Sequence, residues 1–288
     1  MDLRRFAFST STLCHVPLSR ALAQISSAGF KNVQLCADGP HLWLDRFSPA
    51  DVSALSKQLD KLGLNVVGID AIHGNGFWSD ASPEPVFEPS LISSDRRLRE
   101  WRIAYVKKAL RLARELDAPG VTVVSGRLLN GMTPAAAQKL LEEGLLRLLE
   151  HAESLNRNLV LACRPGLFVE SHAEIKAIVE RIKMPHLLGC ADIAVAASYP
   201  GARVLGFRPI VAIRKMKGMI GSVRLADVQS GKYCRLSPGE GDLDFRAILR
   251  ALNSVGYEGA VVWDIDGCAN AHGDICKKTS KFVKRIRK

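Results

Sequence analysis

The chain has 288 residues, 47% of them apolar and 24% charged, which excludes a disordered, collagen-like or coiled-coil protein and leaves room for one barrel or two smaller units. Forty Lys and Arg oppose 29 Asp and Glu for a net charge of +11, a surplus that attracts anionic partners, but seven basic residues and no acid crowd into 277–288, which reads as a solvated helix face or tail. No run reaches 18 uncharged apolar residues, so no membrane partner is expected, and seven scattered cysteines without a Cys-x-x-Cys point to reduced thiols in a cytoplasm.

In chain order, the first strand is expected over Phe6 to Ser11, followed by a helix opening near Pro17 and stopped at Gly29. Asn32 to Cys36 is a second strand. Ser48-Pro49-Ala50-Asp51 has the cap, first-turn proline and third-position acid of a helix start, Gly63 its stop, and Asn65 to Asp70 is a third strand. Ala71 to Ser94 mixes Gly74, Gly76, Pro83, Pro85 and Pro89 with Phe77, Trp78 and Phe87, and is expected to be a long loop folded over the mouth of the fold.

A helix is expected from about Asp95 to Leu116, then a strand Val121 to Ser125, a helix from Thr133 to about Leu155 and a strand Leu159 to Cys163. Ser171 with Glu174 forms a capping box, and the helix it opens ends near Ile182. Strands at Leu187–Cys190, Met219–Leu225 and Ala260–Trp263, with helices at Ile210–Met216 and Phe245–Leu252, complete the alternation.

None of the eight strands alternates polar and apolar residues as a solvated sheet would. That pattern predicts an α/β fold, a (β/α)8 TIM barrel, with 1–288 as one domain and a basic C-terminal helix or tail at about 270–288. An open doubly wound sheet would place glycines after the first strand, where Thr12-Leu13-Cys14-His15 stands instead, so no dinucleotide cofactor is expected.

Reactive groups of such a barrel gather at the C-terminal ends of its strands. Asp192 and Asp264 each follow an apolar strand, and Arg224 interrupts Val-Arg-Leu between them. A carboxylate there must face the mouth or a partner, because unpaired burial costs several kcal/mol. Asp192, Arg224, Asp264 and His73 are the candidate catalytic groups. Arg164, Asp38, His41, Trp78 and Lys232 are the candidates for holding substrate, Arg164 by its rigid fork.

The order of elements, with Val-Arg-Leu-Ala-Asp (223–227), Ser-Pro-Gly-Glu-Gly-Asp-Leu-Asp-Phe (237–245) and Gly-Tyr-Glu-Gly-Ala-Val-Val-Trp-Asp (256–264), resembles the xylose-isomerase-like barrels of the sugar phosphate isomerase and epimerase family. Weaker matches are Arg96 with Arg102, Val-Val-Ser-Gly (123–126) and Cys-Arg-Pro-Gly (163–166). The resemblance implies one divalent metal held by Glu, Asp, His and Glu from four strand ends. Carried over, those positions are Ala162, Asp192, Arg224 and Asp264, and a further family histidine falls on Val195. An arginine has no lone pair and repels a cation, so the expectation is a degraded site with no metal and no cofactor, and Arg224 within reach of Asp192 or Asp264.

The resulting reading is an isomerase, epimerase or dehydratase acting on a small sugar, polyol or keto acid, with or without a phosphate, and active as a monomer or a homodimer. Two rivals stay open: a barrel that binds ligand or serves a structural role without turnover, and a nucleic-acid-binding protein, for which a continuous basic stripe would be needed.

Overall fold

The computed structural model describes residues 5–78, 87–198, 207–229, 233–265 and 274–286. Eight parallel strands close into a barrel in sequence order: β1 (Phe6–Ser9), β2 (Asn32–Cys36), β3 (Asn65–Asp70), β4 (Gly120–Val123), β5 (Asn158–Leu161), β6 (Leu187–Asp192), β7 (Ile220–Leu225) and β8 (Val261–Trp263). β1 pairs with both β2 and β8, which seals the cylinder. Register shifts after Val33 and after Gly189 re-aim the ends of β2 and β6.

The helices are α1 (Leu18–Ser27), α2 (Pro49–Leu62), the short α3 (Asn75–Trp78), α4 (Arg96–Glu115), α5 (Pro134–Ser154), α6 (His172–Ile182), α7 (Ile193–Ser198), α8 (Phe207–Lys215), α9 (Phe245–Ser254) and α10 (Ile275–Ile286). Ser48 with Asp51 and Ser171 with Glu174 make full capping boxes, and Gly63 ends α2 in the left-handed region. Leu141, Leu145, Leu148 and Leu149 of α5 are fully buried against the barrel wall.

Three expectations are corrected. β1 stops at Ser9 rather than Ser11, because Thr10–Leu13 turns into a 3-10 helix that the Ser9 hydroxyl caps. β6 runs on to Asp192, and α7 follows it at once; its Ile-Ala-Val-Ala-Ala run is wholly buried and carries no helical periodicity. α8 begins three residues earlier than the Ile210 start. The C-terminal helix lies within the expected 270–288, with Ile275, Cys276, Thr279, Ser280 and Val283 turned inward and its lysines outward. Among the described residues no helix is long and apolar enough to cross a membrane.

Candidate active site

Three aspartates and three arginines interlock at the C-terminal ends of the strands. Asp70 ends β3, Asp192 ends β6, Arg224 lies near the end of β7 in register with Asp192, and Asp264 follows β8. Arg164 enters from the loop after β5. Arg235 enters from the loop after β7, which folds back so that Asp227 and Leu236 exchange backbone hydrogen bonds at 2.9 and 2.8 Å.

Arg235 is the centre of the lattice. Its Nη1 donates to Asp192 Oδ2 at 2.9 Å and Oδ1 at 3.2 Å, its Nη2 to Asp264 Oδ2 at 2.7 Å, and its Nε to the Asp264 carbonyl at 2.9 Å. Arg224 pairs with Asp70 and lies 3.5 Å from Asp264 Oδ2. Arg164 lies 3.5 Å from Asp264 and 3.7 Å from Asp192, and donates to the Tyr233 hydroxyl at 2.7 Å. Ser11 donates to Asp264 Oδ1 at 2.7 Å, and Gln34 Nε2 to Asp70 Oδ1 at 2.9 Å.

Burial pushes the Asp192 and Asp264 carboxyls up, and the guanidiniums, Arg235 foremost, more than reverse it, so both end below the ordinary carboxylate range. Burial opposes the charge on Arg224, but Asp70 first, then Cys190, Asp264 and Asp192, hold that guanidinium above its ordinary value. Asp192, Asp264 and Arg224 are therefore charged at neutral pH, whereas burial raises the Asp70 carboxyl and the guanidinium of Arg224 offsets that only in part; counted formally, three carboxylates meet three guanidiniums.

His73 follows β3 beside this lattice. Burial, then the charge of Arg164, lowers its imidazole to about 3, so it is neutral at pH 7. Its ring sits 5.4 Å from that of Phe87 and makes no hydrogen bond to the described residues. Phe87 packs on the cluster that includes Ile72, Val124, Ala162 and Leu167. Arg102 of α4 donates to the carbonyls of Pro89 at 2.5 Å and His73 at 2.8 Å. Both described ends of the 71–94 segment are thus tied down at the mouth; its central residues 79–86 lie outside the described residues.

The other expected substrate groups are placed differently. Asp38 accepts from the backbone amides of Gly39, Asn75 and Gly76 at 2.9 to 3.1 Å, and His41 Nε2 bonds the Val16 carbonyl at 2.9 Å. Both anchor loops. Trp78 is 56% exposed and donates to the Glu88 carbonyl at 2.7 Å. Lys232 lies outside the described residues. Asp227 accepts from Val228, Gly239 and Leu243 amides, which makes Pro-Gly-Glu-Gly a pinned turn.

Arg235 was not among the expected site residues, and Asp70, expected at the end of the third strand, carried no expected role. Their signal is the one that marks Arg224: a lone charge among apolar neighbours, as in Cys-Arg-Leu at 234–236 and Gly-Ile-Asp at 68–70.

The donor set does not fit a divalent ion. Ala162 offers no ligand atom, Arg224 offers only hydrogens, and Asp192 and Asp264 already share the guanidinium of Arg235. Among the described residues no group of three or more His, Cys, Asp or Glu is arranged to hold a metal.

A closed eight-stranded parallel barrel with helices around it and charged groups at the strand C-termini defines the chain as a TIM barrel. The chain belongs to the xylose isomerase-like TIM barrel family, whose model matches residues 22–285. It is 22% identical over 252 residues to fructoselysine 3-epimerase of Escherichia coli O157:H7, covering 85% of this chain and 84% of that protein. Similar solved structures include a D-tagatose 3-epimerase-like protein, with a TM-score of 0.79, 18% identity and coverage of 98% of this chain and 97% of that one. A D-psicose 3-epimerase crystallised with D-fructose matches with a TM-score of 0.77, 16% identity and 98% of each chain covered.

Proposed function

We propose that the protein is a sugar epimerase-type enzyme that moves a proton at a carbon beside a carbonyl, with fixed guanidiniums standing where its family places a divalent cation. The observation that carries this reading is the convergence of Arg164, Arg224 and Arg235 on Asp192 and Asp264. A carbonyl whose neighbouring carbon loses a proton develops negative charge on oxygen, and preorganised hydrogen donors stabilise that charge. Arg164 Nε, Arg224 Nε and Arg224 Nη1 make no hydrogen bond to the described residues, so these arginines retain donors beyond those engaged by the aspartates.

Of the groups at the mouth, His73 and Asp264 are the acid/base candidates. Asp264 is a poor base while Arg235, Arg224 and Arg164 all face it. Substrate oxygen that draws hydrogens from Arg164 raises its proton affinity. His73 is neutral, and developing anionic charge beside it favours its protonation. Because three carboxylates formally offset three guanidiniums in the lattice, the substrate class it fits best is an uncharged ketose rather than a phosphorylated sugar.

A second reading is supported by the same lattice: every carboxylate in it already has a guanidinium partner, as a barrel that binds sugar without turnover would. One experiment separates the two. Chelator-treated protein is incubated with D-fructose, D-tagatose and D-psicose in deuterium oxide, and each sugar is examined by NMR and mass spectrometry. Deuterium entering at the carbon beside the ketone, at a rate unchanged by the chelator, is the expected result. Exchange only after manganese is added overturns metal-independent chemistry, and no exchange in any sugar that binds favours the second reading.

A further inference from the structure

The barrel has a second opening. At the N-terminal ends of its strands, away from the arginine-aspartate lattice, lies a cavity of about 500 Å3, within the size range of small-molecule sites. TIM-barrel interiors are normally closed by layers of branched side chains. Here glycine leaves one of those places open: Gly68 lines the cavity from β3 with space beside its Cα, whereas Gly120 of β4 and Gly221 of β7 also line it but are closely packed by Asn158 and by Leu188 and Val160.

The cavity reaches inward to Gln34, Thr122 and Ser222. Gln34 is 1% exposed. Its Nε2 must face Asp70, to whose carboxylate it donates at 2.9 Å, and this fixes its Oε1 as an acceptor with no hydrogen-bond partner among the described residues. Ser222 Oγ is likewise buried, with the weak Cys190 thiol as its partner among the described residues. Buried polar atoms are ordinarily satisfied, and an orphaned acceptor beside an under-used hydroxyl at the inner end of one cavity marks a place built to receive hydrogen bonds.

We infer that this N-terminal cavity binds a compact, uncharged polyhydroxy molecule, whose hydroxyls donate to Gln34 Oε1 and exchange hydrogen bonds with Ser222 and Thr122. The wall dictates the class. Val66, Val160, Leu188 and Val262 supply apolar faces for carbon-bound hydrogens; among the described residues no Lys, Arg or His lines the cavity, and Glu258 at its edge is the one acidic residue. That lining repels anions and offers a phosphate nothing to pair with. Gln34 also links the cavity to the lattice: the Asp70 oxygen that accepts its amide accepts from Arg224 as well.

Gly68→Val is the filling variant. A Cβ at Gly68 meets nothing closer than Gln34 Nε2 at 3.6 Å, so the position accepts a side chain, and valine suits a strand. Ser222→Ala removes one partner and keeps the volume. Xylitol and sorbitol serve as probes, with affinity measured by ligand-observed NMR and the position by crystals soaked in each. The expected result is a polyol in the cavity within hydrogen-bond distance of Gln34 Oε1 and Ser222 Oγ. Its affinity falls at least tenfold in Gly68→Val and severalfold in Ser222→Ala. Water alone in the cavity of a soaked crystal, a polyol at the strands' C-terminal ends only, or unchanged affinity in a folded variant overturns the assignment. Deuterium exchange at the other end of the barrel is a separate readout, so either proposal can fail alone.

Discussion

Arg235 is the residue on which the charged mouth depends, because one guanidinium bridges two carboxylates that are 0% and 6% exposed. Removing one partner of a buried pair leaves an uncompensated charge and costs about 3–5 kcal/mol. Arg235→Met is therefore expected to lower unfolding free energy by about that amount in urea titration at neutral pH. The double variant with Asp192→Asn should recover part of the loss, since it removes one of the stranded anions. An unchanged urea midpoint in Arg235→Met would show that the lattice contributes no net stability. Lysine is a poor replacement, because a point-like ammonium cannot reach Asp192, Asp264 and the Asp264 carbonyl together. The sequence pointed to Asp192, Arg224 and Asp264 through their places beside apolar strands, and the 3.5 Å approach of Arg224 to Asp264 agrees with that expectation. Its closest partner is Asp70. Arg235 escaped because its loop has no periodicity, and only the chain reversal that pairs Asp227 with Leu236 carries it inward.

At the scale of elements, that same reversal is held by a turn with no room for a side chain. Asp227 collects three backbone amides from 228 to 243, and a Cβ on Gly241 would stand 2.5 Å from Asp227 Oδ1 and from the Val228 carbonyl. Gly241→Ala must therefore displace the turn, and with it the approach of Arg235. Urea titration is expected to show a loss of about 2 kcal/mol or more, while exposed Glu240→Ala next to it stays within about 0.5 kcal/mol. Equal effects of the two substitutions would mean that the turn is not under this constraint. The strands and most helices were legible because they carry apolar runs and caps such as Ser48-Pro49 and Ser171 with Glu174. β1 and α7 were misjudged where that signal stops: Ser9 diverts the strand by capping, and an all-buried helix has no polar face to reveal its period. The cavity at the other end was invisible in sequence, since Gly68 opens a void only once the strands close around one axis.

For the molecule as a whole, the +11 charge sits on surfaces such as the outward lysines of α10, while the interior, where five aspartates and four arginines are buried among the described residues, is sensitive to acid. Burial lowers the imidazoles of His41, His73, His151 and His172 below their free value. Such a group binds fewer protons folded than unfolded, so its full stability is present above about pH 6.5 and is lost as pH falls. For His73 the loss continues down to about pH 3. Asp192 and Asp264 add to it as pH falls through the free carboxylate range, where the unfolded chain takes up protons that their depressed folded carboxyls still refuse. Asp38, raised by burial, acts in the opposite sense. Around His73 the charges are Arg164, Arg224 and Arg102 against Asp264, a net positive field that resists a further proton. His73→Gln removes that one titration and leaves the others in place. Between about pH 7.5 and about pH 5, the native protein should therefore lose more unfolding free energy than His73→Gln, by up to about 2 kcal/mol. Equal losses in urea titrations of the two proteins would place the His73 imidazole in solvent contact at its ordinary proton affinity, and would remove it from the mouth's acid/base chemistry as a neutral group.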